Sequence, residues 1–191
     1  MKVKIKDIVS SIHFGTHLKT EEQGTVKYLM SRHFDKHYKL TNFSNSFVTL
    51  QDKNTRHLLC EGDVIVTGKG LRLFAWEYQP KFGTCIASSL FYVIKLKNKQ
   101  VLPTYLVQLL NSEKIEFQLK KIASGASIFS IPKKELMELE LVIPTIEKQQ
   151  EVIKAINIFE KDIALTTALL KQKIILKKGI INHLLKKETD N

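Results

Sequence analysis

Pro144 is the last of four prolines in this chain of 191 residues, and the stretch beyond it constrains the fold more than any other. Residues 146–187, IEKQQEVIKAINIFEKDIALTTALLKQKIILKKGIINHLLKK, contain one glycine, Gly179, and are otherwise rich in helix formers. Proline is the strongest helix breaker, whereas an interior glycine costs only about 1 kcal/mol against alanine, so the segment predicts one uninterrupted helix. At ~1.5 Å per residue it is a rod of roughly 60 Å.

Ile156, Phe159, Ile163, Leu170, Ile174, Ile181 and Leu184 recur along it at steps of three, four or seven, the seam of a coiled coil. Ile153, Leu169, Ile175, Leu176 and Ile180 lie outside that seam and add a second apolar stripe. A domain built from the residues before Pro144 cannot cover both stripes, so another protein surface must. Charge suggests which one. Glu147, Glu151, Glu160 and Asp162 outnumber Lys148, Lys154 and Lys161 in residues 146–166, while residues 167–187 carry Lys171, Lys173, Lys177, Lys178, Lys186 and Lys187 with no acid. An antiparallel pair of such helices lays each lysine-rich half along the half that holds the acids. The same polarity also complements the helix dipole without any dimer. Antiparallel self-association is the expectation, because the apolar stripe needs cover in either case.

Upstream, the β-branched and aromatic runs VKYLM, SFVTL, DVIVTG, LRLFAW and SLFYVIKL read as strands, and KTEEQG, TNFSNS and TGKG between them have the composition of loops and hairpins. From Pro103 the period changes. PTYLVQLL and IEFQLKKI carry apolar residues three and four apart, which predicts two short helices, with Pro103 suited to a first turn. SGASIFSIPKKELMELELVIP then predicts a Gly-led turn, a segment opened by Pro132 and a closing strand. The fold class is α/β in the α+β sense: a mixed, largely antiparallel sheet with short helices, followed by one long coiled-coil helix. The expected domains are 1–144, the helix over 145–187, and a tail over 188–191.

A formal net charge of +11 accompanies this pattern, and a lysine surplus of that size suits a polyanion, most often nucleic acid and less often an anionic membrane. With 43% hydrophobic residues the chain has material for a core, which excludes a disordered protein. Cys60 and Cys85 are the only cysteines and form no CxxC, so a zinc ribbon is unsupported. The basic start MKVKIKDIVS lacks the apolar stretch of a signal peptide, and no apolar run reaches the roughly 18 residues of a membrane span. A cytoplasmic location without membrane partners is expected.

ELELVIPTIEKQQEVIKAI, residues 138–156, resembles the junction in DNA-specificity subunits of type I restriction-modification systems, where a strand ends in a proline-containing turn that launches a long helix. EGDVIVTGKG (61–70) resembles the Gly-Asp strand and Gly-bearing loop of their target-recognition domains. LPTYLVQLLNS and IASGASIFSIPKKEL resemble the helices and Ala-x-Gly turn that follow. In this order the segments cover most of residues 61–187, and GTHLKTEEQGTVKYLMSRHF falls where the family has its first loop and strand. Two departures stand out in the launch turn: Thr145 replaces a second proline, and Lys148 stands where a glutamate is usual, with Gln149 retained. Thr145 still suits an N-cap and Glu147 a first turn. A full specificity subunit has two recognition domains and two long helices, and this chain shows one of each with no internal repeat. The resemblance therefore implies a half-length form whose antiparallel homodimer rebuilds the two-domain arrangement.

What the resemblance implies about function is recognition of double-stranded DNA, where phosphate neutralisation supplies affinity and base-edge contacts supply specificity. The first loop region offers Thr16, Lys19, Lys27, Ser31, Arg32 and His33; the second, TGKGLRLFAWEYQPKFG, offers Thr67, Lys69, Arg72, Trp76 and Lys81. Lys69 between two glycines sits on backbone able to approach a phosphate, and Arg72 could fork onto a guanine. The bland counterpart is a hairpin with a solvated lysine, and Phe74 and Trp76 alternate as strand core more often than as base-stacking platforms. GKG is no P-loop, since Leu71 follows where a hydroxyl is needed. The resemblance carries over no base-reading residue.

HFGTH (13–17) and HFDKH (33–37) raise one alternative, a metal-dependent nucleic-acid enzyme using His33 and His37. Gly15 argues against a helix in the first pair. In extended chain, residues four apart are separated by ~13 Å, too far for one small ion. A coiled-coil adaptor that ignores DNA is the other alternative. Neither GxSxG, nor an acidic nuclease cluster, nor a dinucleotide fingerprint occurs. The expected chain is non-catalytic and holds no cofactor. By resemblance its partners are a methyltransferase subunit that binds S-adenosylmethionine and a restriction subunit that uses ATP and Mg.

Overall fold

DVIVTG and SLFYVIKL run apolar without alternation because the strands they form are covered on both faces. The structure is a computed structural model that describes residues 1–189 except 42, 44, 50, 98, 99 and 124–127, without the side chains of 53 and 182–189. The chain opens with β1 (Lys2–Lys4), one helical turn α1 (Ile5–Ile8) and β2 (Val9–Phe14). Then follow β3 (Val26–Leu29), β4 (Phe47–Val48), β5 (Val64–Thr67), β6 (Lys69–Gly70), β7 (Ala75–Glu77), β8 (Cys85–Ala87) and β9 (Phe91–Leu96). α2 (Pro103–Leu110), α3 (Glu113–Ile122), β10 (Phe129–Ser130), α4 (Lys133–Glu138), β11 (Glu140–Val142) and α5 (Ile146–Thr189) complete the order.

The β-structure is mixed and largely antiparallel as expected, but among the described residues it divides into four small sheets. The largest has the order β2-β9-β5-β7 and is antiparallel throughout; β4-β3-β8 contains the parallel pair β3–β8, and β1–β11 and β6–β10 are two-stranded. Alternation in the four-stranded sheet feeds two cores. Val64, Val66, Tyr92 and Ile94 pack with Ile8, Ile12, Leu106, Leu119 and Leu136. Ile65, Phe91 and Val93 face an aromatic core of Phe34, Phe74 and Trp76. Residues with a core on either side of them cannot show a period of two in hydropathy.

Two expected strands shorten. Among the described residues SFVTL pairs at Phe47–Val48 and LRLFAW at Ala75–Glu77; Leu50 lies outside the described residues, and the Arg72 side chain bonds carbonyls of another loop. The first fourteen residues, which carry no local signal of this kind, supply β1, α1 and β2. β1 pairs with β11 at the far end of the domain (Lys2↔Val142), and Glu138 of α4 holds Lys4 and Lys6 at 2.8 and 2.6 Å.

α5 is 44 residues long, roughly 66 Å, and passes through Gly179 unbroken. Thr145 stands at its N-cap with Oγ1 3.5 Å from the Lys148 N–H, a long capping contact. The chain divides into two compact units, residues 1–149 and the remainder of α5. Among the described residues no helix is long and apolar enough to cross a membrane.

Candidate nucleic-acid interface

The motifs that prompted the family resemblance build the scaffold that presents the loops. Cys60 to Asp63 form a turn closed by the Asp63 N–H on the Cys60 carbonyl (3.0 Å), with Gly62 at φ 81°, a conformation that suits glycine. The buried Asp63 carboxylate accepts the Cys60 N–H at 2.9 Å and Lys95 Nζ at 2.7 and 2.9 Å, so the Gly-Asp pair ties this turn to β9. Asn111, in LLNS after α2, pairs its amide with both backbone groups of Ala75 (2.7 and 3.0 Å) and so completes the edge of β7. Gln149, the retained glutamine, is fully buried. Its Oε1 accepts the Leu102 N–H at 2.9 Å and its Nε2 donates to the carbonyls of Gln100 and Pro144 at 2.8 and 3.0 Å. That clamp holds the first turn of α5 to the loop before α2.

Around this scaffold the candidate residues gather in three groups. Thr16 and Lys69 share one: Gly15 and Thr16 lie against the Ala87–Ser88 backbone, where a Cβ on Gly15 would stand 2.3 Å from the Ala87 oxygen. Lys69 Nζ hovers 5.5 Å from the ring of Phe14, which itself stacks on Tyr92. Ser31, Arg32, His33 and Arg72 form the second. The Arg72 guanidinium donates to the carbonyls of Ser31, Phe34 and Asp35 at 2.5, 2.8 and 3.0 Å. Lys27, Trp76 and Lys81 meet around Phe82 in the third: Lys27 Nζ donates to the Phe82 carbonyl at 2.8 Å, and Lys81 lies over its ring. Lys19 is exposed and belongs to none of them.

Burial removes three candidates from any surface a duplex can touch. Thr67 is 0% exposed, with its hydroxyl and backbone bonded to Phe74 across the β5–β7 connection. Trp76 sits in the aromatic core against Phe34 and Phe82. His33 is 5% exposed. Arg72, a candidate for forking onto a guanine, spends its guanidinium on three carbonyls and acts as a brace between loops.

His33 explains why HFDKH is no metal motif. Its Nδ1 accepts the Met30 N–H at 3.0 Å, which leaves the proton on Nε2, 3.0 Å from Ser46 Oγ; that oxygen also receives Arg32 at 2.7 Å. Both ring nitrogens are engaged, while His37 is exposed in a turn. Burial, with a smaller contribution from the Arg32 charge, pushes the His33 imidazole down to about 4. Because the unfolded chain takes up this proton first, stability falls as pH drops from 6.5 to about 4, by up to about 3 kcal/mol. Thermal melting across that window is expected to show this loss in the wild type and a flatter profile in His33→Gln. Equal slopes for the two would place the acid sensitivity elsewhere.

Between the second group and α3 lies a cleft of about 430 Å³, lined in part by Lys36, Tyr38, Arg72, Lys120 and Phe129. Tyr38 has φ 60°, an unfavourable conformation for a bulky residue, and stacks on Phe74. Of these residues only Arg72 stood out in the sequence. The others come from segments 36–38 and 116–129, which only the fold brings beside residues 71–73.

A mixed-sheet domain with basic loops, joined to a long helix with exposed apolar residues, has the architecture of a recognition module. The chain belongs to the family of type I restriction-modification DNA specificity domains: the profile of that description matches residues 1–175. Its members are recognition components of these systems and not their catalytic parts. No curated protein matches the sequence significantly. Solved structures do. The S subunit of a type I restriction-modification system from M. genitalium aligns with TM-score 0.60 and 15% identity, over 84% of this chain and 39% of that one. The HsdS subunit from Thermoanaerobacter tengcongensis aligns at 0.58 and 14%, over 86% and 38%. A structure from work on complex assembly and conformational transition of the type I system aligns at 0.60 and 14%, over 93% and 43%. At such identities the likeness is one of fold, and the chain spans about two fifths of each of these proteins.

Proposed function

We propose that the chain is a sequence-specific DNA-binding specificity subunit that reads one half-site with residues 1–144 and pairs with a second copy through antiparallel α5 helices. The observation that carries the pairing is the expected seam itself: Phe159, Ile163, Leu170, Ile174 and Ile181 are 48–68% exposed along a helix of roughly 66 Å. Exposed apolar residues in register over so many turns are the signature of a helix that packs on another. Leu184, the last of the seam, lies beyond the described side chains. In this reading Lys19, Lys69 and Lys81 neutralise phosphates, Thr16 and Arg32 lie within reach of the backbone, and two-fold symmetry makes the target an inverted repeat with a fixed spacer. The methyltransferase subunit, with its S-adenosylmethionine, and the ATP- and Mg-dependent restriction subunit would act at the site so addressed, in the cytoplasm.

The test is selection from a random duplex library, followed by binding measured against salt. Recovered sequences are expected to contain two inverted copies of one motif, and log K to fall linearly with log salt. The Lys19→Gln, Lys69→Gln, Lys81→Gln triple variant should flatten that slope by roughly 0.9 for each phosphate that is no longer neutralised. Dimers with no salt-sensitive affinity for DNA would instead describe a coiled-coil adaptor.

A further inference from the structure

Two of the most exposed apolar side chains of residues 1–149 lie at the same end of one short ribbon. β6 and β10 pair with Phe129 against Gly70 and Ser130 against Lys69, and the residues that adjoin the Gly70–Phe129 pair at that end of the ribbon are Leu71, 79% exposed, and Ile128, 64% exposed. Single exposed leucines are ordinary, but an apolar pair closing the end of a two-stranded ribbon is a shaped feature. The ribbon is braced on each side. The Ile131 N–H donates to the Gly68 carbonyl at 2.8 Å, the buried Tyr92 hydroxyl donates to the Ile131 carbonyl at 2.7 Å, and Arg72, next to Leu71, is fixed by its three carbonyls.

The surroundings are cationic. Lys69 lies two residues before Leu71 on the ribbon, Lys36 and Lys120 border the adjoining cleft, and the acid there, Glu116, is held by Lys120 at 2.6 Å. A protein groove would match the apolar pair alone; a polyanion with apolar faces between its phosphates matches the pair and the lysines together. Duplex DNA is that polymer, and side chains such as Leu and Ile are the kind that wedge between base steps.

We propose that Leu71 and Ile128 form a wedge that enters a base step of bound duplex and unstacks it, while the neighbouring lysines hold the flanking phosphates. This rests on the DNA-recognition reading above. Deformation of the duplex would then add specificity at a step that no polar side chain touches, because the cost of unstacking depends on which bases are parted.

Duplexes recovered from the library are rebuilt with 2-aminopurine or pyrrolocytosine at each position in turn and titrated with the whole 191-residue chain. A several-fold rise in fluorescence is expected at one step with the wild type. That rise should vanish with Leu71→Ser/Ile128→Ser, a variant whose melting temperature and salt slope should stay unchanged since both residues face solvent. Tight binding without a rise at any position, or a rise that survives in the double variant, would overturn the wedge and leave DNA recognition standing. Absence of DNA binding by the wild type would overturn both.

Discussion

Under the proposed pairing of α5 helices, replacing Ile163 and Leu170 with aspartate is expected to leave a monomer at concentrations where the wild type pairs. The two positions are 61% and 58% exposed on α5 and one heptad apart, so both face the same side of the helix. Each substitution forfeits about 2 kcal/mol of apolar burial and asks a carboxylate to enter a dry seam, at a cost of several kcal/mol more unless it remains hydrated. With both copies altered, the penalty exceeds about 4 kcal/mol, at least a thousandfold in dissociation constant. Light scattering reads the mass and circular dichroism checks that α5 persists. A wild-type monomer, or a dimer indifferent to both aspartates, would end the self-association model and require a different chain to cover α5.

The second large effect is at Gln149. Leucine there keeps the volume but strands the Leu102 N–H and leaves the carbonyls of Gln100 and Pro144 without the amide they accept. Unsatisfied buried groups cost about 1–3 kcal/mol each, and some will find water, so a loss of about 3 kcal/mol is expected for Gln149→Leu. For a chain of this size that lowers the melting temperature by roughly 10 °C. Gln150→Ala, one residue on and exposed, should melt like the wild type. A Gln149→Leu variant that melts within about 2 °C of the wild type would show that the clamp is incidental.

Gln149, Asp63 and Asn111 share a property that bears on how this family is read. All three lie in segments that carried the resemblance: Gln149 and Asn111 bond backbone groups of distant elements, and Asp63 bonds the backbone of its own turn and the Lys95 side chain of β9. Side chains that satisfy another segment's backbone tolerate little change, whereas loops that meet a ligand are free to vary. The recognisable letters therefore marked the frame and left the reading surface unmarked.

The rod was legible because its cause is local. A proline-free run with apolar residues every three to four positions makes a helix whatever surrounds it, and α5 starts at the residue after Thr145 as the cap predicts. Pro103 and the periodicity after it announced α2 and α3 for the same reason, and the β-branched and aromatic runs DVIVTG and SLFYVIKL announced strands. The sequence by itself thus determined the long helix, the strand-rich domain and the surplus of positive charge. Tertiary structure decided the rest. Only the fold could pair β1 with β11, split the expected sheet into four, bury Thr67, Trp76 and His33, and turn Arg72 inward onto three carbonyls. Whether a polar side chain meets solvent depends on partners far along the chain, and no local pattern encodes that distance.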